Sequence, residues 1–165
     1  DILADGSMDL PDETLEGLDF VVGAVHSRFK DDQETITKRI ERALANPHVD
    51  LLAHPTGRLL GERDAYAVDL ERVIQAAKAH GKAIELNAYP ARLDLDDVHC
   101  RRAKQLGVPV SIDTDSHSTA HLENMPYGVA TARRGWLTKV DVLNCRPLDE
   151  LLAFTKRAGK AGLLG

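Results

Sequence analysis

Four short apolar runs, rich in β-branched residues, recur along the chain at roughly the spacing of one β-α unit, about 30 residues. They occupy residues 19–25, 49–54, 82–89 and 108–114. Between and after them lie stretches with helical periodicity, over residues 33–45, 67–80, 95–106, 125–134 and 147–158. This alternation predicts an α/β fold in which a parallel sheet is packed against outer helices.

Local signals support the helix ends, and the length limits the architecture. Asn46-Pro47 ends the first pattern, and Gly81 and Gly107 are suited to close the next two. A complete eight-unit barrel needs about 250 residues, whereas this chain has 165. Four units therefore indicate half of a barrel or a small open sheet. The opening at Asp1, without methionine, favours the half and predicts a portion of a longer protein.

Composition argues against several classes of protein. The net charge of −5 and the pI of 5.8 disfavour a module that grips nucleic acid through its own field. Aromatic residues make up only 4% of the chain, so no platform for stacking single strands is evident. Cys100 and Cys145 do not have metal-site spacing, and no signal peptide or membrane-length apolar run is visible. These features predict a soluble cytoplasmic protein without membrane partners.

Polar residues collect where each predicted strand ends. Reactive groups of parallel α/β folds gather at the carboxyl ends of the strands, because the loops to the next helices begin there. Each of the four runs carries histidine, acid or amide at this end, namely His26, His54, Glu85 with Asn87, and the segment "SIDTDSH". The sequence therefore predicts one polar rim shared by all four strands.

The segment "SIDTDSH" places Ser111, Asp113, Asp115 and His117 at alternate positions. In an extended strand these side chains would share one face, where unpaired acids are costly to bury. Together with the two histidines of the neighbouring strands, they predict a metal site. Imidazole combined with carboxylate suits Zn²⁺, Mn²⁺ or Fe²⁺, whereas Mg²⁺ or Ca²⁺ would favour oxygen ligands alone.

The remaining histidines carry less information. His48 follows a proline in a loop, His80 ends a predicted helix, and His99 lies on a helical surface. His121 follows the fourth strand closely enough to reach the rim. None of these four positions is predicted as a metal ligand.

Taken in order and spacing, the motifs "VHSRF", "LAHPTGRLLG", "ELNAYPARLDL" and "SIDTDSH" resemble the PHP (polymerase and histidinol phosphatase) domain. More narrowly, they are similar to the C-terminal PHP domain of bacterial and archaeal X-family DNA polymerases. The resemblance covers nearly the whole chain. It implies a distorted seven-unit, TIM-like β/α barrel, of which residues 1–165 would form the C-terminal part.

The resemblance also implies roles for individual residues. His26 and His54 would bind one metal ion of a trinuclear centre. Asp115 would bind a second ion and His117 the third, both as catalytic groups, with Mn²⁺ or Zn²⁺ as the cofactor. The resemblance further implies that Asp113 orients a metal ligand. It also implies that Arg28 and Arg58 contact the substrate phosphate.

What the resemblance implies for function is metal-dependent phosphoesterase chemistry, a 3′→5′ exonuclease that processes DNA 3′ ends in repair. DNA would reach the site through the full-length polymerase. The H-x-H strand and other N-terminal ligands of the family are absent from this sequence, so the site of the chain alone is expected to be incomplete. Because half a barrel exposes sheet edges, we expect the isolated chain to misfold, to dimerise by domain swapping, or to be stable only within a longer protein.

Two alternatives remain open from the sequence. The first is a PHP phosphatase that acts on a small phosphomonoester, as in histidinol phosphatase. The second is a non-catalytic PHP-like module that serves as a scaffold. The joint presence of two histidines and the Asp-x-His pair at the rim argues against a decayed centre.

Overall fold

The computed structural model describes residues 1–155, which contain one parallel four-stranded sheet in the order β1-β2-β3-β4. The strands are β1 Val22–Gly23, β2 Leu51–Leu52, β3 Ala83–Asn87 and β4 Val110–Asp113. All four predicted strands are therefore confirmed, each shorter than its apolar run. The α/β class is also confirmed, with sequential strands as neighbours.

Six α-helices are present in the described part of the chain. They are α1 Asp12–Glu16, α2 Gln33–Ala45, α3 Leu70–His80, α4 Asp97–Leu106, α5 Met125–Arg134 and α6 Leu148–Phe154. Short 3₁₀ helices span Thr119–Asn124, Lys139–Asp141 and Leu143–Cys145. The bounds of α2 and α5 agree with the prediction, α1 was not predicted, and the last predicted positions of α6, 156–158, lie outside the described residues.

Capping residues explain where three helices begin and end. The side chains of Asp32, Asp69 and Asp96 accept hydrogen bonds from backbone N–H groups of the first turns of α2, α3 and α4. The caps at 69 and 96 start α3 and α4 two or three residues later than periodicity predicts. Gly81 and Gly107 adopt left-handed conformations, as expected for glycine after a helix.

One face of the sheet is buried beneath the helices. Gly23, Leu52, Ile84 and Val110 are register partners in one row across the four strands, and Leu86 pairs with Ile112 in the next row. The five side chains other than glycine are at most 6% exposed and belong to the main core. This face, which we call the helix face, carries the hydrophobic stabilisation of the sheet.

The opposite face changes character along the strands. Near the strand starts, Leu51 and Ala83 pack with Leu143, and with Phe20 and α6 side chains at the edge of the cluster. Towards the carboxyl ends the same face carries two cross-strand pairs, Glu85 with Ser111 and Asn87 with Asp113. We call this the polar face, because its half nearest the carboxyl ends of the strands bears the polar side chains next to the rim.

Both edges of the sheet have further backbone partners. The N–H of Ile2 donates to the carbonyl of Ala24 beside β1. On the other side Val142 forms a parallel bridge with Val110, and the Asn144 amide bonds both the N–H and the carbonyl of Ile112. The described sheet is thus open, but some backbone groups at each edge form hydrogen bonds with segments outside the four strands.

Among residues 1–155, no helix combines the length and the apolar character that crossing a membrane requires.

Candidate functional site

Two histidines from neighbouring strand ends converge at the rim. The Nε2 atoms of His26, which follows β1, and His54, which follows β2, are 3.3 Å apart. Their ring centroids are 5.1 Å apart and the planes are tilted by 51°. Two nitrogens bound to one tetrahedral ion, each at about 2.0–2.1 Å, lie roughly 3.4 Å apart. The separation of the two Nε2 atoms is therefore compatible with a shared metal ion, and it equally permits a hydrogen bond between the rings when one Nε2 carries a proton.

The second nitrogen of His26 has an acidic partner. Nδ1 of His26 lies 2.5 Å from Oδ1 of Asp1. Partial burial lowers the pKa of His26, so a neutral ring is favoured. A neutral ring that donates its Nδ1–H to Asp1 keeps the lone pair of Nε2 directed at His54. Carboxylates that hold the far nitrogen of a histidine in this way commonly orient metal ligands.

Arg39 of α2 holds the backbone next to both members of that pair. Its guanidinium donates to the carbonyl of Ile2, beside Asp1, and to the carbonyl of Ser27, beside His26. The side chain is only 3% exposed. No local pattern indicates this role, because the contacts of Arg39 lie 12 and 37 positions away along the chain.

His54 is held rigidly and kept neutral. Its backbone adopts a φ of 27°, and its N–H donates to Oε2 of Glu85 at 2.5 Å. Burial lowers the pKa of His54 to about 4, and the positive charge of Arg92 acts in the same direction. Its Nδ1 is buried without a hydrogen-bond partner. A neutral His54 with its hydrogen on Nδ1 presents the lone pair of Nε2 to His26.

The polar face behind the histidines carries buried acids. Burial raises the pKa of Glu85 to about 8, although the N–H of His54 opposes the shift, so this carboxyl is largely protonated at neutral pH. Burial also raises the pKa of Asp113. Oδ2 of Asp113 is buried and has no hydrogen-bond partner. An orphaned acidic oxygen at a rim with neutral imidazoles is suited to a nearby cation.

Asp115 and His117 do not continue the strand, contrary to the predicted alternation. The strand β4 ends at Asp113, and Asp115 has a φ of 51° in the left-handed region. The turn places Oδ2 of Asp115 3.2 Å from Nε of Arg92. His117 is exposed, and its Nδ1 lies 2.8 Å from the carbonyl oxygen of Asp115. A hydrogen on Nδ1 leaves Nε2 of His117 free to bind a ligand.

Asp115 nevertheless belongs to the same electrostatic neighbourhood as the histidine pair. Its negative charge raises the pKa of both His26 and His54, while Arg92 lowers both. Asp115, Arg92 and His117 also line one cleft at the rim. The structure thus brings the histidine pair, Asp115 and His117 to a single edge of the sheet.

The two predicted phosphate-binding arginines have different surroundings. Arg28 is exposed and its Nε donates to Asp31 at 2.7 Å. Arg58 instead donates to the backbone carbonyls of Arg92 and Leu93 and so fixes the loop after β3. Arg92 therefore lies closer to the acid of the rim than either predicted arginine, as its contact with Asp115 shows.

Asp94 locks the loop that carries His54. Its Oδ2 accepts hydrogen bonds from the N–H and the hydroxyl of Thr56, both at 2.9 Å, and its backbone pairs with Asn87. Asp94 is fully buried, and burial raises its pKa. The motif "ELNAYPARLDL" includes this aspartate, but nothing in its local pattern indicates a contact 38 residues away.

The ligand set within residues 1–155 is partial. No group of three or more His, Cys, Asp and Glu side chains in this part of the chain is arranged to hold a metal ion. The donors that converge are the two imidazoles, and the chemistry of that pair fits a divalent cation that accepts nitrogen.

Comparison with known proteins identifies relatives with phosphoesterase names. The chain is 46% identical over 157 residues to "DNA polymerase/3'-5' exonuclease PolX" of Bacillus subtilis, which covers 95% of this chain and 28% of that protein. It is 30% identical over 149 residues to a probable phosphatase of Thermoanaerobacter sp., covering 85% of this chain and 58% of the relative. A probable phosphatase of Acetivibrio thermocellus is 34% identical over 120 residues, 68% of this chain and 47% of the relative.

The chain therefore spans about a quarter of the polymerase relative and about half of the phosphatase relatives. No protein-family model matches the chain. The names of the relatives point to a hydrolase of the phosphoesterase kind.

Proposed function

We propose that this chain is part of a PHP domain and takes part in metal-dependent hydrolysis of phosphoric esters, acting on the 3′ ends of DNA. The relatives named polymerase/exonuclease and probable phosphatase support the family and the phosphoesterase class. The four-stranded parallel sheet with outer helices is compatible with part of the TIM-like β/α barrel of that family.

The observation that carries the proposal is the convergence of His26 and His54. Their Nε2 atoms are 3.3 Å apart, both rings are kept neutral, and Asp1 holds the far side of His26. Two lone pairs facing each other at this distance repel unless a proton or a cation lies between them. A divalent cation satisfies both nitrogens and uses the ring orientation that Asp1 imposes.

Mn²⁺ or Zn²⁺ is the cation proposed for this pair, because both accept imidazole together with carboxylate. When bound, such a cation supplies Lewis-acid activation of the phosphoester and lowers the pKa of water. Asp115 and His117 are the proposed ligands of further ions, in keeping with their place at the same rim. Asp113, with its unpartnered oxygen, is proposed to orient a ligand from the polar face.

The residues of the chain have separate tasks in this proposal. Arg92, placed 3.2 Å from Asp115, supplies positive charge where a phosphate would approach. Arg28 can reach an anion only if it leaves Asp31, whereas Arg58 keeps the loop after β3 in place. The buried Glu85 holds the backbone of His54 rather than adding negative charge at neutral pH.

The rest of the ligand set is proposed to come from protein outside this sequence. The partial set within the described residues and the 28% coverage of the polymerase relative both support this view. In the proposal, the missing N-terminal part of the PHP domain completes the centre, and the remainder of an X-family polymerase presents DNA to it.

The test is digestion of a 5′-labelled single-stranded oligonucleotide in the presence of Mn²⁺ by the purified protein that carries this chain. We expect loss of nucleotides from the 3′ end, and a decrease of at least about 100-fold in His54→Ala, since even a lost orienting partner of a ligand costs 10–100-fold. His80→Ala is the matched control, because His80 lies exposed at the end of α3. Full activity in His54→Ala would overturn the proposal.

A second candidate function is hydrolysis of a small phosphomonoester. The similarity to probable phosphatases at 30% and 34% identity favours it. The two candidates differ in the substrate that the same rim accepts. Release of phosphate from small monoesters, with no shortening of the oligonucleotide, would select the phosphatase.

A further inference from the structure

A cleft opens beside the proposed ligands Asp115 and His117. Its volume is about 230 Å³. The side chains that line it come from the loops after β2, β3 and β4, and they are Leu59, Tyr89, Arg92, Asp115, His117 and His121. The proposed hydrolysis uses Asp115, His117 and Arg92 of this set, but it gives no role to Tyr89, His121 or Leu59.

The unused residues form an aromatic wall. The rings of Tyr89 and His121 are 5.4 Å apart with a tilt of 44°, and His117 lies 6.4 Å from His121. Tyr89 and His121 therefore place two flat rings side by side at this cleft, next to the proposed ligand His117. Tyr89 and His121 are both partly exposed. Aromatic rings of this kind stack with planar heterocycles, and the stacking does not depend on the base.

The size of the cleft limits what can stack there. Pockets for drug-sized ligands occupy about 300–1,000 Å³, and this cleft is smaller. It is suited to one planar group rather than to a paired duplex end. Leu59 adds an apolar side chain to the lining, which suits the face of a heterocycle better than a second phosphate would.

The charges at the cleft determine which end of such a ligand carries its phosphate. The guanidinium of Arg92 is only 14% exposed and contacts Asp115, and the backbone carbonyl of Arg92 accepts a hydrogen bond from Arg58 at 2.7 Å. A fixed cation beside the acid attracts a phosphate to that end. The ring system attached to that phosphate then lies along Tyr89 and His121.

We propose that this cleft binds the nucleoside of the terminal nucleotide, with its base against Tyr89 and His121. The inference rests on the proposed phosphoesterase function and adds a substrate preference to it. In the hydrolysis, the oxygen of water forms a bond to phosphorus while the bond from phosphorus to the leaving oxygen breaks. The leaving oxygen takes a proton, and a nucleoside 5′-phosphate remains in the cleft.

Two substrates with the same leaving group test this role. Thymidine 5′-(p-nitrophenyl phosphate) and methyl p-nitrophenyl phosphate both release p-nitrophenolate, but only the first carries a nucleoside. For Tyr89→Leu we expect kcat/KM to decrease about tenfold on the thymidine substrate, the range that the loss of one stacked base produces. We expect less than a twofold change on the methyl substrate.

Two further variants separate stacking from structural damage. Tyr89→Phe keeps the ring and is expected to retain the preference for the thymidine substrate. Tyr127→Leu is the matched control, because Tyr127 is 52% exposed on α5 and does not line the cleft. An equal loss on both substrates in Tyr89→Leu would overturn the inference, because it would indicate a general structural effect.

A binding measurement decides the inference independently of turnover. We expect calorimetric titration to show that the protein binds thymidine 5′-monophosphate more tightly than methyl phosphate, and that Tyr89→Leu removes this difference. If neither nitrophenyl substrate is hydrolysed, the proposed function fails while this titration still tests the cleft. Equal affinities for the two phosphates in the unaltered protein would overturn the nucleoside role.

Discussion

The two faces of the sheet differ in what they contribute, although the same four strands build both. On the helix face, Leu52, Ile84 and Val110 align in one row and are at most 1% exposed. On the polar face, Val22 is 49% exposed, and Asp113 has a buried oxygen without a partner.

The difference shows how stability and chemistry are divided in this molecule. The helix face satisfies the ordinary requirements of a folded protein, because its apolar side chains are close-packed and its polar backbone is paired. The polar face departs from these requirements at Glu85, Asp113 and the backbone of His54. Such departures concentrate at functional sites, where the surrounding structure holds them in place.

The largest expected effect tests the helix face. Ile84→Ala removes a side chain that is completely buried in the main core. We expect the free energy of unfolding to decrease by about 2–5 kcal/mol, because the transfer free energy is lost and a cavity remains. Urea unfolding followed by circular dichroism measures the change.

The matched substitution is in β1, in the neighbouring row of paired residues, which faces the other side of the sheet. Val22→Ala shortens a β-branched side chain that is half exposed, so we expect a decrease of about 0.5 kcal/mol or less. Equal losses for Ile84→Ala and Val22→Ala would mean that the two faces contribute alike, contrary to the comparison.

A third substitution tests how closely α5 packs on the helix face. A Cβ added at Gly128 would lie 2.6 Å from Cγ2 of Ile112 and 2.7 Å from Cβ of Ala88. We expect Gly128→Ala to destabilise the protein by about 1–3 kcal/mol through overpacking, measured by the same unfolding experiment. A stabilised variant, the usual result of placing alanine in a helix, would show that α5 is loosely packed.

Asp113→Asn tests whether a residue of the polar face lowers the stability of the fold while it supports hydrolysis. Replacing a carboxyl whose Oδ2 is buried without a partner, and whose ionisation burial makes costly, should raise the free energy of unfolding at pH 7 by about 1 kcal/mol, while hydrolysis slows. Both unfolding and turnover are measured on the same preparation. A variant that is less stable and equally active would place Asp113 among ordinary structural residues.

The smallest effect concerns two histidines, one at the rim and one in α4. In the metal-free protein, burial lowers the pKa of His54 to about 4, while the hydrogen bond with Asp96 raises the pKa of His99 above its usual 6.5. The His99 pair therefore stabilises the fold fully below pH 6.5 and loses its contribution as the pH rises through the raised pKa. Neutral His54 stabilises above pH 6.5 and loses its contribution as the pH falls towards 4.

Titration of the imidazole ring protons by NMR measures both values. Asp96→Asn is expected to return the pKa of His99 towards 6.5 and to leave His54 unchanged. Titration of His54 near 6.5 in the unaltered protein would contradict the burial that the structure gives it.

The sequence predicted the repeating architecture well because its signals are local. The Asn46-Pro47 pair predicted the end of α2, and apolar periodicity predicted the helix itself. The helix α1 has only five residues, too few for a periodic pattern, and was missed. The start of α3 was placed too early, because the cap at Asp69 outweighs the preceding apolar residues.

The meeting of the polar strand ends at one rim was predicted, since parallel strands bring their carboxyl ends together whatever the details of the loops. The pairing of His26 with His54 follows from that rule. The left-handed turn at Asp115 and the contacts of Asp1, Arg39 and Arg92 depend on tertiary packing. No local pattern encodes them, and so the predicted single face of "SIDTDSH" was wrong beyond Asp113.

In the proposed function, His26 and His54 would hold one divalent ion. X-ray absorption spectroscopy of the zinc-loaded protein tests it most directly, with His54→Ala and His80→Ala measured beside it. We expect imidazole nitrogens at about 2.0–2.1 Å from zinc, with weaker imidazole scattering in His54→Ala, where His26 remains, and no change in His80→Ala. A spectrum without imidazole scattering, or one unchanged in His54→Ala, would contradict it.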